Sequence, residues 1–525
     1  MRLLRATATV GLFTLASRIL GLVRDVLLAR YLGAGVVNDA LVTAMKLPNL
    51  FRRMFAEGAF NAAFVPLYAR RLEDEGEAAA QRFAGEAMSA LALVTALIVV
   101  AFQVTMPWSL NMVGFGLDRD TSAAGFAPYD LAVTYARITM PYLFLMSVSA
   151  LLSGLLNTHN RFAAAAFAPV LLNVLLIAVL LASPFADWTL PRLALWISAG
   201  MSVSGLFQAG LLLMAVRRAG QGFRLPRPRL TPGVKRLVAL GLPGLVAAGI
   251  TQINVTVSHS IATLQDSAAS WLYYSDRLYQ LPLGLIGIAL GIALLPSLSR
   301  SLRGGREDEA AHTFNRGFEF ALLLTLPASV ALAVMPELLV GGLFERGRFT
   351  ATDTAQAARA LRMFALGLPA FVLLKVLTPA FFARENTRTP MVWAAVSALV
   401  NLGLGAGLFF HGPAPIGGFV GLALATSVAA WTNLAALAMI LRAQGRFGLD
   451  RRTRARLPRI ALAALLMGLA LWWAREPASG GLSGRMLSDY LWLALVCAGG
   501  AGVYALSALA LGALRPRELR AALAK

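Results

Sequence analysis

The chain has 525 residues, 58% of them hydrophobic and 14% charged, and its mean hydropathy is +0.68. Lys and Arg number 47 against 26 Asp and Glu, a formal net charge of +21. A water-soluble globular protein of this length needs far more polar surface, which excludes that class. Runs of Ala, Leu, Val and Gly between the basic residues argue against a nucleic-acid binder. The fold class that remains is an all-α polytopic membrane protein. The single Cys497 lies in an apolar run and supports neither a disulfide framework nor a Cys-based metal site.

A bilayer-spanning helix needs about 20 mostly apolar residues. Reading for such runs predicts about 14 spans. In chain order they lie near 7–30, 37–66, 86–108, 131–157, 163–183, 193–216, 237–264, 270–297, 314–340, 356–382, 390–410, 416–441, 457–474 and 489–514. The first imitates a signal peptide, but Arg18 interrupts its apolar stretch, so a retained helix is expected. Thirty of the 47 basic residues fall in the two tails and one set of loops, and six in the alternating loops. The positive-inside rule therefore places both termini in the cytoplasm. The Arg-rich loops at 217–236 and 442–459 read as topology determinants and contacts to anionic lipid.

The chain also repeats itself. Residues 64–83 resemble 294–314, and 156–176 resemble 382–404, with Asn173 matching Asn401. The two offsets agree, which divides the spans into two pseudo-symmetric six-helix lobes, 1–220 and 235–445, with residues 457–514 outside the repeat. Internal repeats of this kind are usual in transporters.

Eleven basic residues remain in or beside spans. Span one carries Arg18, Arg24 and Asp25, and span two carries Asp39, Lys46, Arg52, Arg53 and Glu57. Span eight opens with Asp276 and Arg277, and Lys375 lies in span ten. Each such charge costs roughly 2.5–3.5 kcal/mol at the membrane centre unless it faces protein or water. Arg53 and Glu57, four apart, can simply pair, and Asp25 can offset Arg24 or Arg18. Arg30 and Arg137 can snorkel to the interface. Taken together, Arg18, Arg24, Arg52, Arg277 and Lys375 still outnumber the nearby carboxylates. A surplus of buried positive charge calls for an anionic partner, and the planar fork of arginine suits phosphate or carboxylate. Gly33, Gly35, Pro48 and Gly58 in the first hairpin, with Pro282, Gly284, Gly287, Gly291 and Pro296 in span eight, permit the kinks that alternating access needs. No catalytic motif is present, and no cofactor or metal is expected. The histidines at 159, 259, 312 and 411 lack ligand spacing, and His259 reads as a packed or cavity-lining residue.

Three segments carry a family resemblance. Residues 17–69 (SRILGLVRDVLLARYLGAGVVNDALVTAMKLPNLFRRMFAEGAFNAAFVPLYA) closely resemble the MurJ (MviN) family of lipid II flippases. So do residues 271–299 and 376–390 (VLTPAFFARENTRTP). The resemblance runs through roughly residues 1–445. It implies a fold of the multidrug/oligosaccharidyl-lipid/polysaccharide exporter type, with the two lobes forming a V and two C-terminal helices making a groove for the polyprenyl tail. It further implies a flippase in the bacterial inner membrane that moves lipid-linked peptidoglycan precursor outward, with lipid II and membrane lipids as its partners, acting as a monomer. A related exporter of another lipid-linked oligosaccharide or of drugs is the alternative. Residues matching Arg18, Arg24, Arg52 and Arg277 line the family's cavity, and Asp39 and Glu57 belong to the same functional set; Asp25 and Lys375 are placed similarly. Where some relatives carry a Glu this chain has Gln280, which puts a titrating carboxylate there in doubt. A sodium site attributed to some members is not carried over, because Asn401 and Thr426 have no carboxylate beside them in these spans.

Overall fold

The computed structural model describes residues 2–55, 59–118, 120, 126–382, 384, 386–481 and 486–514. Among them there are 18 α-helices and no strand. The first are α1 (Arg2–Leu32), α2 (Val36–Phe55), α3 (Ala59–Asp74), α4 (Glu77–Ser109), α5 (Asn111–Gly114), α6 (Pro128–Thr139), α7 (Pro141–Thr158), α8 (Ala163–Ala182) and α9 (Leu190–Arg218). They continue with α10 (Pro232–Ala262), α11 (Ala268–Arg303), α12 (Glu307–Val334), α13 (Pro336–Phe344), α14 (Ala351–Phe382), α15 (Arg388–His411), α16 (Phe419–Ala443), α17 (Arg451–Gly480) and α18 (Met486–Ala510).

Among the described residues the predicted spans fall on helix, span two on α2 and α3, and two further subdivisions have local causes. Predicted span four is α6 and α7, separated at Met140, because Pro141 has no N–H to continue the ladder. Predicted span nine is likewise α12 and α13, broken at Met335 before Pro336. Ten helical segments among the described residues are long and apolar enough to cross a membrane. Helix α2 is not among them, and its charges at Asp39, Lys46, Arg52 and Arg53 give the reason. Apolar side chains on α4, such as Leu97 at 59% and Val104 at 68% exposure, point away from the protein. Such a face is stable only against lipid.

The chain divides into two compact units, Met1–Ser270 and Trp271–Lys525. In the first unit α1 lies along α8, α2 along α6, and α7 along α9. Its core joins Phe64 and Tyr68 of α3 to Phe83 of α4, Leu152 and Leu155 of α7 and Leu212 of α9. The Phe64 and Phe83 rings stack at 5.7 Å. Helix α10, which the repeat assigns to the second lobe, packs on α2, α3, α4 and α5 and so belongs to this unit. In the second unit α14 packs on α12 and α16, α15 on α16, and the last pair, α17 and α18, on α12 and α13.

Candidate functional site

Arg24 and Asp25 of α1 sit beside Asn173 of α8. Gly21 faces the Asn173 side chain of α8 at van der Waals distance. Asn173 donates to the Ser17 carbonyl at 2.9 Å and accepts from Arg24 Nη1 at 3.0 Å. The remaining edge of the Arg24 guanidinium donates to Asp25 Oδ1, from Nε at 3.0 Å and from Nη2 at 2.8 Å. Asp25 is buried, whereas the Arg24 side chain keeps 18% of its surface exposed. The offset of Arg24 by Asp25 is therefore present, and the Asn173 amide fixes the fork from a second side. Arg18 is half-buried, two turns back on the helix face that holds Asp25.

Helix α2 turns a polar face toward α10. Asp39, in its first turn, accepts from the Ser270 backbone N–H at 2.8 Å and from the Ser270 hydroxyl at 2.5 Å. Asn38 donates to the same hydroxyl at 2.9 Å. Because Ser270 lies in the first turn of α11, the Asp39 carboxylate satisfies an otherwise open helix N-terminus there. One turn along, Thr43 shares a hydrogen bond of 2.9 Å with the buried His259. Farther along, Arg53 Nη1 donates to Gln252 Oε1 at 3.2 Å, and Arg52 Nε donates to Asn49 Oδ1 at 3.2 Å. Glu57 lies outside the described residues, and with it the Arg53–Glu57 pair.

In the second unit Arg277 lies over the ring of Tyr273, one turn back on α11, at 4.6 Å from its centroid. This cation–π contact holds the guanidinium against its own helix. Gln280 donates to Asp276, a bond that an ionised Glu at 280 could not make. Lys375 of α14 crosses α11 at Gly287, where a Cβ would come within 2.5 Å of Nζ. Gly287, read from the sequence as a source of flexibility, thus makes room for a charged side chain. Arg277 and Lys375 are not brought together, since Gly287 lies about 15 Å along α11 from Arg277.

Sequence reasoning missed several polar residues. Asn173 appeared only as a repeat marker. Gln252, Thr256 and the C-cap Thr263 are buried and join His259, already read as packed or cavity-lining, in a polar stripe along α10 at spacings of four, three and four. That spacing within an apolar span was the available signal. Glu319 of α12 also went unnoticed, although Arg316 and Arg456 both donate to it. Arginines of the 442–459 segment, read as topology markers and lipid contacts, are therefore in part internal.

Residues 28–490 match the family model described as "Lipid II flippase MurJ". A "Probable lipid II flippase MurJ" of Rhizobium meliloti (strain 1021) is 44% identical over 497 residues, covering 93% of this chain and 91% of that protein. A solved structure titled "Lipid II flippase MurJ, inward closed conformation" superposes with a TM-score of 0.77 at 23% identity, covering 95% of this chain and 98% of that one. An inward-facing multidrug-resistance MATE transporter of the MOP superfamily has a TM-score of 0.66 at 15% identity, covering 82% and 96%. These two structures support the fold, and the family follows from the extent of the sequence match: the chain belongs to the lipid II flippase MurJ family.

Proposed function

We propose that the protein is a lipid II flippase, carrying undecaprenyl-diphosphate-linked peptidoglycan precursor from the cytoplasmic to the periplasmic leaflet by alternating access. Arg24, Arg52 and Arg277 hold the diphosphate, with Arg18 and Lys375 adding positive charge. Asp25, Asp39 and Glu57 complete the set. Asp25 orients the Arg24 fork, and Asp39 secures the start of α11. The architecture is 14 spans in two six-helix lobes with the pair at 457–514 beside the polyprenyl tail. Both termini lie on the cytoplasmic side of the bacterial inner membrane. The protein acts as a monomer, without catalysis, cofactor or nucleic acid.

The observation that carries this reading is the arrangement around Arg24. Its guanidinium is oriented by Asp25 and Asn173 yet remains partly exposed. An arginine fixed in direction but left accessible is suited to bidentate recognition of phosphate. The proposed set holds five cations and three carboxylates, which favours an anionic headgroup over the cationic cargo of a drug exporter. With no nucleotide-binding motif, the membrane potential is the proposed drive for resetting the empty cationic site, at about 2.3 kcal/mol per charge and 100 mV. Lipid II translocation in proteoliposomes tests the assignment. Retention of full activity by Arg24→Ala, Arg52→Ala and Arg277→Ala would sink it.

A further inference from the structure

Within the second unit the C-terminal pair is fastened to α12 and to the end of α13 at two points. At one end Glu319 of α12 accepts from Arg456 of α17 and from Arg316 at 2.5 Å, and Arg452 Nη2 lies 3.6 Å away. Arg456 and Glu319 are only 5% and 9% exposed. Arg316 also donates to Asp450, whose carboxylate accepts from the Thr453 backbone N–H at 2.6 Å and so caps α17. Asn315 binds the segment before α17 twice, donating to the Gly448 carbonyl and accepting from the Asp450 N–H, both at 3.0 Å.

At the other end Arg346 follows α13. Its Nη2 donates to Asp489 of α18 at 2.9 Å, and both side chains are under 10% exposed. Its Nη1 donates to the carbonyls of Gly342 and Leu343, which closes the end of α13, and the guanidinium lies over the Tyr490 ring at 4.7 Å. The first fastening is at the start of α17 and the second in the first turn of α18. Between them Ile460, Ala463, Ala464 and Met467 pack on α12 and α13, and Gly468 meets Val330. The Tyr504 hydroxyl of α18 donates to the Leu323 carbonyl at 2.7 Å.

Lipid is as apolar as this packing, so in a bilayer the apolar seam by itself gives little drive for association. The ion pairs and hydrogen bonds then decide whether α17 and α18 stay docked. Their opposite faces, including Leu465, Leu469 and Trp473 of α17 and Leu491 and Leu495 of α18, are exposed.

We infer that Glu319 and Asp489 are positioning residues for the lipid tail: together they clamp α17 and α18 to α12 and α13 as one rigid body, which keeps the tail surface in place while the headgroup moves. This rests on the proposed flippase reading. The test uses full-length protein in proteoliposomes with two substrates of identical headgroup, lipid II and a short-tailed analogue. Glu319→Gln and Asp489→Asn should each slow the full-length lipid by about tenfold and the analogue by less than about twofold, the former being the scale of one lost charge-assisted bond. Glu319→Asp should restore most of the rate. A Val330→Cys/Gly468→Cys disulfide, in a Cys497→Ser background, should leave transport intact and rescue Glu319→Gln. Equal loss for both substrates, no loss for either, or arrest by the disulfide overturns the clamp. If the unaltered protein moves neither lipid, the flippase reading falls. The clamp is then decided by crosslinking: its yield should drop in Glu319→Gln, and an unchanged yield overturns it.

Discussion

Two arginines in long helices show what buried charge does in this protein. Arg24 of α1 is 18% exposed and takes its carboxylate from the next residue in the chain, with an amide from α8 on its other side. Arg456 of α17 is 5% exposed and takes its carboxylate from Glu319, 137 residues away. The second pair closes a helix–helix contact. The first holds a guanidinium in a set direction and leaves part of it accessible. Burial by itself therefore does not mark a substrate arginine; the origin of its partner and the exposure left over are the better guides.

The largest effect expected on this contrast is on transport. Arg24→Ala should lower lipid II translocation in proteoliposomes by about 10- to 100-fold, the range for loss of one or two charge-assisted bonds, with little change in Tm. Arg456→Ala should do the reverse at the headgroup. A short-tailed analogue should still move, while Tm in detergent falls. Next in size, Glu319→Ala strips the carboxylate from buried Arg456 and leaves Arg316 with Asp450 alone. A thermal-unfolding comparison should show a loss of about 3–5 kcal/mol, the usual result of removing one partner from a buried pair. A loss below about 1 kcal/mol would place this cluster with ordinary surface pairs.

Smaller effects separate orientation from charge. Asn173→Ala removes one bond to Arg24 and one to Ser17, about 1 kcal/mol each, and leaves every charge in place. Binding of a diphosphate lipid should weaken by less than in Arg24→Ala, and equal loss would mean that orientation matters as much as the cation. The smallest effect is at Asp450. Partial burial alone would raise its carboxyl, but hydrogen bonds from Thr453 and Arg316 and the nearby Arg316 charge outweigh this and hold it at about 2. With the folded value below the ordinary 3.8, its contribution is complete above pH 4 and is lost as pH falls through about 2. Asp450→Asn should flatten acid unfolding in that window and leave stability at pH 7 slightly lower.

Much of the fold was legible in the order of residues. Apolar runs of spanning length located the long helices, since a helix in lipid must satisfy its own backbone and announces itself by hydropathy. Proline at 141 and 336 accounts for the division of predicted spans four and nine. The candidate site was legible in composition, because charge within an apolar run is conspicuous, and Arg24 with Asp25 are neighbours in the chain. The partners from elsewhere were not. Nothing in α1 names Asn173, nothing in α2 names Ser270, and nothing in α12 names Arg456. Gly287 shows the same limit, because its missing side chain matters only where Lys375 crosses it.

What the sequence determined by itself was the membrane-embedded, all-helical class, the positions of the helices and the presence of a basic surplus within them. These follow from local transfer free energies, which add along the chain. What only the tertiary structure decided was the use of each charge. Arg24 is steered by Asn173, Asp39 secures the start of α11, and Arg456 is closed off by Glu319. Hydrogen bonds and ion pairs depend on distances between residues far apart in sequence, and those distances exist only once the helices have packed.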